Sequence, residues 1–284
     1  MGKIIYSKYD KKLIGELPRV AFPGKITVVI SETEAVKAVD YLLAQPVLGV
    51  DTETRPSFSK GRHYEVSLLQ VSDNQNCFLF RLNFLGMSDS IVRLLEDTSV
   101  PKIGLSWHDD LIMLKRKGRD FKPGYFIDIQ NEVKEIGILD LGLQKIYANL
   151  FGMKISKREQ LTNWERDILT DKQKMYAATD AWTCINIHEE LERLKKTNDF
   201  ELIIVEEEEK SEAATTISDG EKPDISNDSS RNVRQEKNLK GRNTTSGRRT
   251  PGRNTCWWTG TTSSSPGMNS RRWPAPTWTR PGRS

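Results

Sequence analysis

The 284-residue chain is poor in the residues that build disulfide frameworks and zinc sites. Its three cysteines, Cys77, Cys184 and Cys256, are far apart in sequence and form no CxxC pair. The three histidines are equally scattered. The sequence therefore supports neither a disulfide framework nor a structural zinc site. This pattern favours a reduced, cytoplasmic compartment.

Long apolar runs are also missing from the sequence. No stretch approaches the ~18 apolar residues that a transmembrane helix requires, so we expect no membrane span and no membrane partner. The N-terminal residues 1–6 lack the apolar core and the small-residue cleavage site of a signal peptide. We therefore predict no secretory leader.

The net charge of +4 is the sum of three very different segments. Residues 1–205 carry 29 basic and 29 acidic side chains, residues 206–230 carry two and nine, and residues 231–284 carry twelve and one. The last two segments have few aliphatic residues and cannot bury enough apolar surface to offset the entropy of ordering. We predict an N-terminal extension over 1–22, a folded domain over 23–205 and a disordered tail, acidic and then basic, over 206–284.

The basic segment 231–284 has two interpretations that stay open. It contains four of the seven tryptophans, and basic charge with interleaved aromatic rings is typical of single-stranded nucleic-acid binding. It is also rich in Arg, Trp, Thr, Gly and Pro, after a body rich in Lys, Glu and Ile. Such a change of composition is what a frameshift produces, in which case the segment is not native sequence.

The folded part has an α/β pattern. Short apolar runs bounded by turn residues predict strands over 25–30, 47–53, 66–71, 77–80, 101–105 and 125–129. Helical patterns are predicted over about 31–43, 91–95, 108–117, 140–150 and 170–196. Thr170 and Gln173 form a capping box at the start of the longest helix. An early hairpin followed by alternating strands and helices predicts a mixed β-sheet covered by helices in one domain.

Two acids stand at the end of the second predicted strand. Asp51 and Glu53 are two residues apart, so both side chains point to the same face of the strand. Open α/β sheets place ligands at this end of their strands. Two like charges on a buried strand are unfavourable unless a cation neutralises them, although an ordinary solvated strand end explains the pair equally simply.

Two further acidic signals occur later in the chain. Tyr176 and Asp180 are four residues apart in the longest predicted helix, which stacks them on one face. Asp110 lies just inside a predicted helix start, next to Asp109. Acids at a helix start interact favourably with the helix dipole, and we expect Asp109 to be exposed for that reason. Each signal alone also has a structural explanation, which for Asp180 is an acid at the boundary of the core beside a packed tyrosine.

Together, a DxE pair on a strand, an Asp at a helix start and YxxxD on a late helix resemble the DEDD-type 3′–5′ exonucleases. The sequence is similar to the DEDDy subclass of this DnaQ-like family, close to ribonuclease D and Werner-type exonuclease domains. The similarity covers about residues 20–200, including Val47-Leu-Gly-Val-Asp-Thr-Glu and Tyr176-Ala-Ala-Thr-Asp. It implies a ribonuclease-H-like fold, and it makes 23–205 the exonuclease domain.

The resemblance also implies a site and a reaction. It assigns four metal-binding acids and one catalytic tyrosine, namely Asp51, Glu53, Asp110, Asp180 and Tyr176. Oxygen ligands without His or Cys suit Mg²⁺ or Mn²⁺, and two such ions serve phosphodiester hydrolysis. In this scheme Asp51 bridges both ions, Asp110 holds the second ion, and Tyr176 orients the attacking water. The expected products are 5′-mononucleotides released from a 3′ end.

The expected partner is single-stranded nucleic acid with a free 3′ end, either RNA or DNA. The resemblance also makes Thr52 a substrate-binding candidate, which would donate a backbone amide or its hydroxyl near the terminal nucleotide. Arg55, Lys157 and Arg158 are candidates for phosphate contacts, with solvated loop charges as the alternative. The alternative function is a non-catalytic nucleic-acid-binding protein that retains the exonuclease fold.

Overall fold

The computed structural model describes residues 2–59 and 61–206, so the predicted tail beyond Glu206 lies outside the described residues. The described strands are β1 (Lys3–Tyr6), β2 (Lys25–Val29), β3 (Leu48–Thr54), β4 (Val66–Ser72), β5 (Asn76–Arg81), β6 (Lys102–Gly104), β7 (Phe126–Asp128) and β8 (Phe200–Ile203). The described α-helices are α1 (Glu32–Leu42), α2 (Leu82–Leu85), α3 (Asp89–Glu96), α4 (Trp107–Arg116), α5 (Ile129–Glu135), α6 (Leu143–Phe151) and α7 (Asp171–Thr197). A 3-10 helix spans Leu13–Glu16.

Six strands form one mixed sheet in the order β2-β5-β4-β3-β6-β7. Strand β4 is antiparallel to both of its neighbours, and the other adjacent pairs are parallel. Helices α1, α3 and α4 contribute to one apolar cluster of the core, and α5, α6 and α7 contribute to the others. The predicted mixed sheet flanked by helices is confirmed. No helix within residues 2–59 and 61–206 is long and apolar enough to cross a membrane.

The predicted capping box begins the longest helix. The Thr170 hydroxyl accepts a hydrogen bond from the Gln173 backbone N–H at 3.2 Å, and the Gln173 side chain accepts one from the Thr170 N–H at 3.1 Å. These bonds satisfy two amide groups that the start of a helix leaves unpaired. The helix ends at Asn198, which has a left-handed φ of 49°. Both ends of α7 are therefore encoded locally.

Helix α7 lies directly on strand β3. A Cβ atom at Gly49 would overlap the backbone carbonyl oxygen of Ala181 and lie 2.9 Å from Ile185 Cγ1. Because the first of these is a helix backbone atom, it cannot rotate away as a side chain would. The missing side chain at Gly49 therefore sets how closely the helix approaches the strand. Asp51 and Glu53 share this face of β3, so they lie beside the preceding turns of α7.

Several elements differ from the sequence expectations. Strands β1 and β8 form a separate two-stranded parallel sheet that the sequence pattern did not indicate, with Lys3 paired to Phe200 and Tyr6 to Ile203. The predicted strand 125–129 ends at Asp128, whose carboxylate accepts a hydrogen bond from the Gln130 N–H at 2.9 Å and thereby caps α5. Asp128, an acid within the predicted apolar strand, is therefore the N-cap of α5, a helix that the sequence pattern did not predict.

The contact between α7 and β3 predicts the effect of a single methyl group. Gly49→Ala should force α7 away from the sheet and lower the unfolding free energy by about 1–3 kcal/mol, the usual cost of overpacking. Thermal unfolding measures this loss. Gly15→Ala is the matched control, because no atom lies within 4 Å of the Cβ position at Gly15. Equal melting temperatures for the two variants would contradict the proposed contact.

Candidate active site

Three carboxylates from two elements meet at the end of β3. One carboxylate oxygen from each of Asp51, Glu53 and Asp180 lies within 4.8 Å of the others. Glu53 and Asp180 are buried, and Asp51 is partly exposed. All three line a cavity of about 290 Å³. Asp51 and Glu53 from β3 therefore meet Asp180 from α7 at one cavity.

The three carboxylates oppose one another's ionisation. Burial raises the pKa of Asp51 well above its usual range, and the charges of Asp180 and Asp110 raise it further. Burial, followed by the charge of Asp51, raises the pKa of Glu53 to about 10. Burial raises the pKa of Asp180 to about 7. A cation bound among these groups would remove the penalty for ionising them.

Hydrogen bonding leaves part of this site open for a ligand. Gln70 lies opposite Asp51 on β4, and its amide Nε2 donates to Asp51 Oδ2 at 3.2 Å. Oδ1 of Asp180 is buried and accepts no hydrogen bond from the described residues. An unpaired buried carboxylate oxygen is unfavourable unless a ligand contacts it, and oxygen donors of this kind suit a hard divalent cation. The residues present therefore fit a divalent metal site.

Gln70 was missed in the sequence analysis. It is fully buried in β4, where its neighbours Leu69 and Val71 are also fully buried. One amide within an otherwise apolar strand was the available signal, because a buried polar side chain needs a hydrogen-bond partner. That partner, Asp51, belongs to another strand, so the sequence spacing did not reveal it.

A tight turn delivers the fourth predicted acid. Strand β6 ends at Gly104, where a Cβ atom would overlap the Trp107 ring. Ser106 has a left-handed φ of 60° immediately before α4 begins. Non-glycine residues seldom adopt this conformation, and strained residues of this kind cluster at functional sites. The turn places Asp110 in the first turn of α4.

Asp110 lies beside the group of three carboxylates rather than within it. Its Oδ1 accepts a hydrogen bond from the Thr52 hydroxyl, and its charge raises the pKa of Asp51. Burial raises the pKa of Asp110 itself. Asp109 is exposed, as expected. Thr52 was predicted as a substrate contact, and the structure shows its side chain holding an acid.

Tyr176 lies one helical turn before Asp180 and lines the same cavity. Burial raises the pKa of its hydroxyl above the usual range, and the charges of Asp180 and Glu53 raise it further. The hydroxyl is therefore protonated at neutral pH and serves as a hydrogen-bond donor. Its ring packs against Trp164, with ring centroids 5.9 Å apart, and Trp164 is fully buried.

The predicted substrate-binding cations fall into different surroundings. Lys157 lines the carboxylate cavity, and its positive charge lowers the pKa of Asp180 against the larger effect of burial. Arg158 lines a neighbouring cavity of about 440 Å³. Arg55 is ion-paired through Nη1 to Glu165 Oε2 at 3.2 Å and lines a third cavity. Lys157 is thus the predicted cation that faces the acids.

Comparison with known proteins places this site in a family. A family model described as a 3′–5′ exonuclease matches residues 26–195. The chain belongs to the 3′–5′ exonuclease family. The resemblance found from the sequence motifs is therefore confirmed. The matched residues include both strand acids, the helix-start acid and the YxxxD motif, so the carboxylate cavity lies within the exonuclease domain.

Relatives of this exonuclease domain occur in distant organisms. The chain is 28% identical over 196 residues to the mouse bifunctional 3′–5′ exonuclease/ATP-dependent helicase WRN, covering 64% of this chain and 14% of that protein. It is 27% identical over 195 residues to ribonuclease D of Haemophilus influenzae, covering 66% of this chain and 47% of that protein. The chain therefore spans less than half the length of either relative.

Solved structures share the fold of this exonuclease domain. The Nibbler EXO domain of Aedes aegypti superposes with a TM-score of 0.55 at 18% identity, covering 64% of this chain and 93% of that one. Trypanosoma brucei RNase D in complex with RNA U12 superposes with a TM-score of 0.53 at 20% identity, covering 60% and 63%. At these identities the likeness shows the fold, and it confirms the predicted exonuclease-like architecture.

The raised carboxyl pKa values predict the stability of the metal-free protein. The Asp180 pKa rises from 3.8 to about 7, so the folded state binds more protons than the unfolded state between these values. Stability should therefore fall as pH rises through this window. At pH 8 in EDTA, Asp180→Asn should raise the melting temperature by about 3 °C or more, since it removes a repelling charge.

Two comparisons test this electrostatic prediction. Asp109→Asn is the matched control, because it removes an exposed acid that interacts favourably with the dipole of the neighbouring helix and so should not raise the melting temperature. Adding a divalent cation should stabilise the unmodified protein and should stabilise Asp180→Asn much less. A lower melting temperature for Asp180→Asn in EDTA would show that the carboxylates do not oppose folding.

Proposed function

We propose that this protein is a metal-dependent 3′–5′ exonuclease that hydrolyses phosphodiester bonds from the 3′ end of nucleic acid and releases 5′-mononucleotides. The observation that carries the proposal is the group of three carboxylates, Asp51, Glu53 and Asp180, whose oxygens lie within 4.8 Å of one another. The group is found in a chain of the 3′–5′ exonuclease family, within the residues that match that family.

Four acids would hold two divalent ions, Mg²⁺ or Mn²⁺. Asp51, Glu53 and Asp180 form the close group, and Asp110 adds a carboxylate beside Asp51. The absence of His and Cys ligands among them favours these hard cations. When bound, the ions lower the pKa of the attacking water and neutralise the charge that develops on the phosphate and the leaving oxygen. The presence of Tyr176 supports the proposal that the protein belongs to the DEDDy subclass.

The chain's own residues position the reacting groups. Gln70 orients Asp51 through the hydrogen bond to Oδ2, and Thr52 orients Asp110 through its hydroxyl. The protonated Tyr176 hydroxyl would hold the attacking water, because its raised pKa makes it a donor rather than a base. Lys157, which lines the same cavity, would contact the phosphate.

One of the remaining substrate candidates lines the carboxylate cavity, and the other two line neighbouring cavities. The Thr52 backbone would contact the terminal nucleotide, since Thr52 also lines the cavity. Arg55 and Arg158 would supply sequence-independent phosphate contacts further along the strand. We propose single-stranded RNA or DNA as the substrate.

The alternative, a nucleic-acid-binding protein without catalysis, is less compatible with the charges. Binding a polyanion alone gains nothing from a pocket of carboxylates, because these groups repel phosphate. The same pocket becomes favourable for phosphate once cations occupy it. We further propose a reducing, cytoplasmic compartment, which agrees with the free, buried thiols of Cys77 and Cys184.

End-labelled oligonucleotides test the proposed reaction directly. With Mg²⁺ or Mn²⁺, a 3′-labelled strand should release labelled mononucleotide at once, whereas a 5′-labelled strand should shorten stepwise. Asp51→Asn should lower the rate about a thousandfold or more, because it removes a metal-binding carboxylate. Asp109→Asn, the exposed neighbour of Asp110, should retain the rate. Full activity of purified Asp51→Asn would exclude the mechanism.

Tyr176→Phe tests the positioning role of the hydroxyl. The substitution keeps the ring against Trp164 and removes only the donor, so kcat should fall about tenfold or more while the metal concentration for half-maximal rate stays unchanged. Tyr147→Phe is the control, because Tyr147 is a buried tyrosine of α6 whose hydroxyl donates to Asn186 at 3.3 Å. An unchanged kcat for Tyr176→Phe would remove this hydroxyl from the reaction.

A further inference from the structure

A second groove is lined by the residues that directly follow two lining segments of the carboxylate cavity along the chain. It has a volume of about 220 Å³, and we call it the side groove; it is lined chiefly by Arg55, Phe58, Arg62, Tyr64, Leu161 and Asn163. The strand that carries Asp51 and Glu53 runs on into one wall of this groove. The segment 155–160 that walls the carboxylate cavity runs on into the other. The two cavities are therefore consecutive along the same two stretches of chain.

The side groove exposes apolar surface to solvent. Phe58 is 83% exposed and Leu161 is 67% exposed, although both are large hydrophobic residues. Phe58 makes no ring contact with another aromatic side chain in the described part of the chain. An exposed aromatic face beside a nucleic-acid site is a platform on which an unpaired base can stack. A fully paired duplex does not offer its base faces in this way.

The side groove also carries positive charge in a defined place. The guanidinium carbons of Arg55 and Arg62 lie over the Tyr64 ring, 4.7 and 4.9 Å from its centroid. Arg55 is ion-paired to Glu165, whereas Arg62 is exposed and pairs with no carboxylate within residues 2–59 and 61–206. The Tyr64 ring thus helps to hold the Arg62 guanidinium in place and leaves its donors free for a phosphate.

We infer that the side groove binds the single strand upstream of the scissile bond, with a base stacked on Phe58 and a phosphate held by Arg62. The inference rests on the proposed exonuclease function and extends it to the part of the substrate that is not cleaved. It gives the enzyme a preference for single strands longer than a dinucleotide, because a dinucleotide does not reach beyond the carboxylate cavity and its rim.

A neighbouring cavity fits this role less well. The cavity of about 440 Å³ that contains Arg158 shares Tyr176 and residues 155–156 with the carboxylate cavity. Its walls include the acids Glu159 and Asp171 and an aliphatic lining, and its one aromatic residue is the buried Tyr176. The side groove, by contrast, combines the exposed ring of Phe58 with the unpaired guanidinium of Arg62, so it fits the role better.

Substrate length separates the side groove from the carboxylate cavity. The full-length protein is assayed on two substrate lengths, a dinucleotide and a single-stranded 12-mer. Each length is tested both as oligo-U and as oligo-dT. Phe58→Ala should lower kcat/KM for the 12-mer about tenfold more than kcat/KM for the dinucleotide, and Phe58→Tyr should restore it. Arg62→Ala should reduce the slope of log kcat/KM against log salt concentration by about 0.7 for the 12-mer.

Phe84→Ala is the matched control, because Phe84 is 51% exposed and has an arginine, Arg81, 4.9 Å from its ring centroid. It lines a separate cavity that shares no residue with the side groove. It should affect neither substrate. Equal losses on both substrate lengths for Phe58→Ala, or no loss on the 12-mer, would overturn the inference.

The two levels of proposal fail in different ways. If the unmodified protein hydrolyses neither substrate with Mg²⁺ or Mn²⁺, the proposed function is wrong. The side groove is then tested by fluorescence anisotropy with a labelled 12-mer. A roughly tenfold weaker affinity of Phe58→Ala supports the groove as a single-strand site, and equal affinity of the two proteins rejects it.

Discussion

The close packing of helix α7 on strand β3 is the contact on which the candidate site depends. It requires a residue without a side chain at Gly49, because the helix backbone at Ala181 occupies the space that a Cβ would take. The acid of α7, Asp180, then lies within reach of Asp51 and Glu53. A small displacement of α7 away from β3 would separate these carboxylate oxygens even though the acidic residues themselves are unchanged.

The site concentrates negative charge in a way that opposes folding. Burial is the largest cause of the raised pKa at Asp51, Glu53 and Asp180, and mutual repulsion adds to it at the first two. The surrounding apolar core must offset this cost. A bound divalent cation would reverse it, because the same oxygens become ligands. The arrangement therefore links the stability of the domain to the ion that its chemistry requires.

The parts of the fold that were predictable have local causes. The capping box at Thr170 and the hairpin around Asp73, whose carboxylate accepts the Gln75 and Asn76 N–H groups at 2.6 Å, involve residues close in sequence. Strands β1 and β8 pair residues from opposite ends of the described chain, and short strands of this kind carry little pattern of their own. Helix α5 was missed because its cap, Asp128, ends a strand.

The sequence by itself determined which acids are present, their order and their spacing, and these were enough to identify the family and to predict four metal-binding acids and a catalytic tyrosine. Tertiary structure alone decided that Asp110 is held by Thr52, that Gln70 contacts Asp51, that Lys157 lines the cavity of the acids and that Phe58 is exposed. The reason is physical. The burial, the electrostatic potential and the hydrogen bonds at one atom depend on neighbours from many secondary-structure elements. The spacing of residues within one segment of the chain does not reveal which neighbours those are.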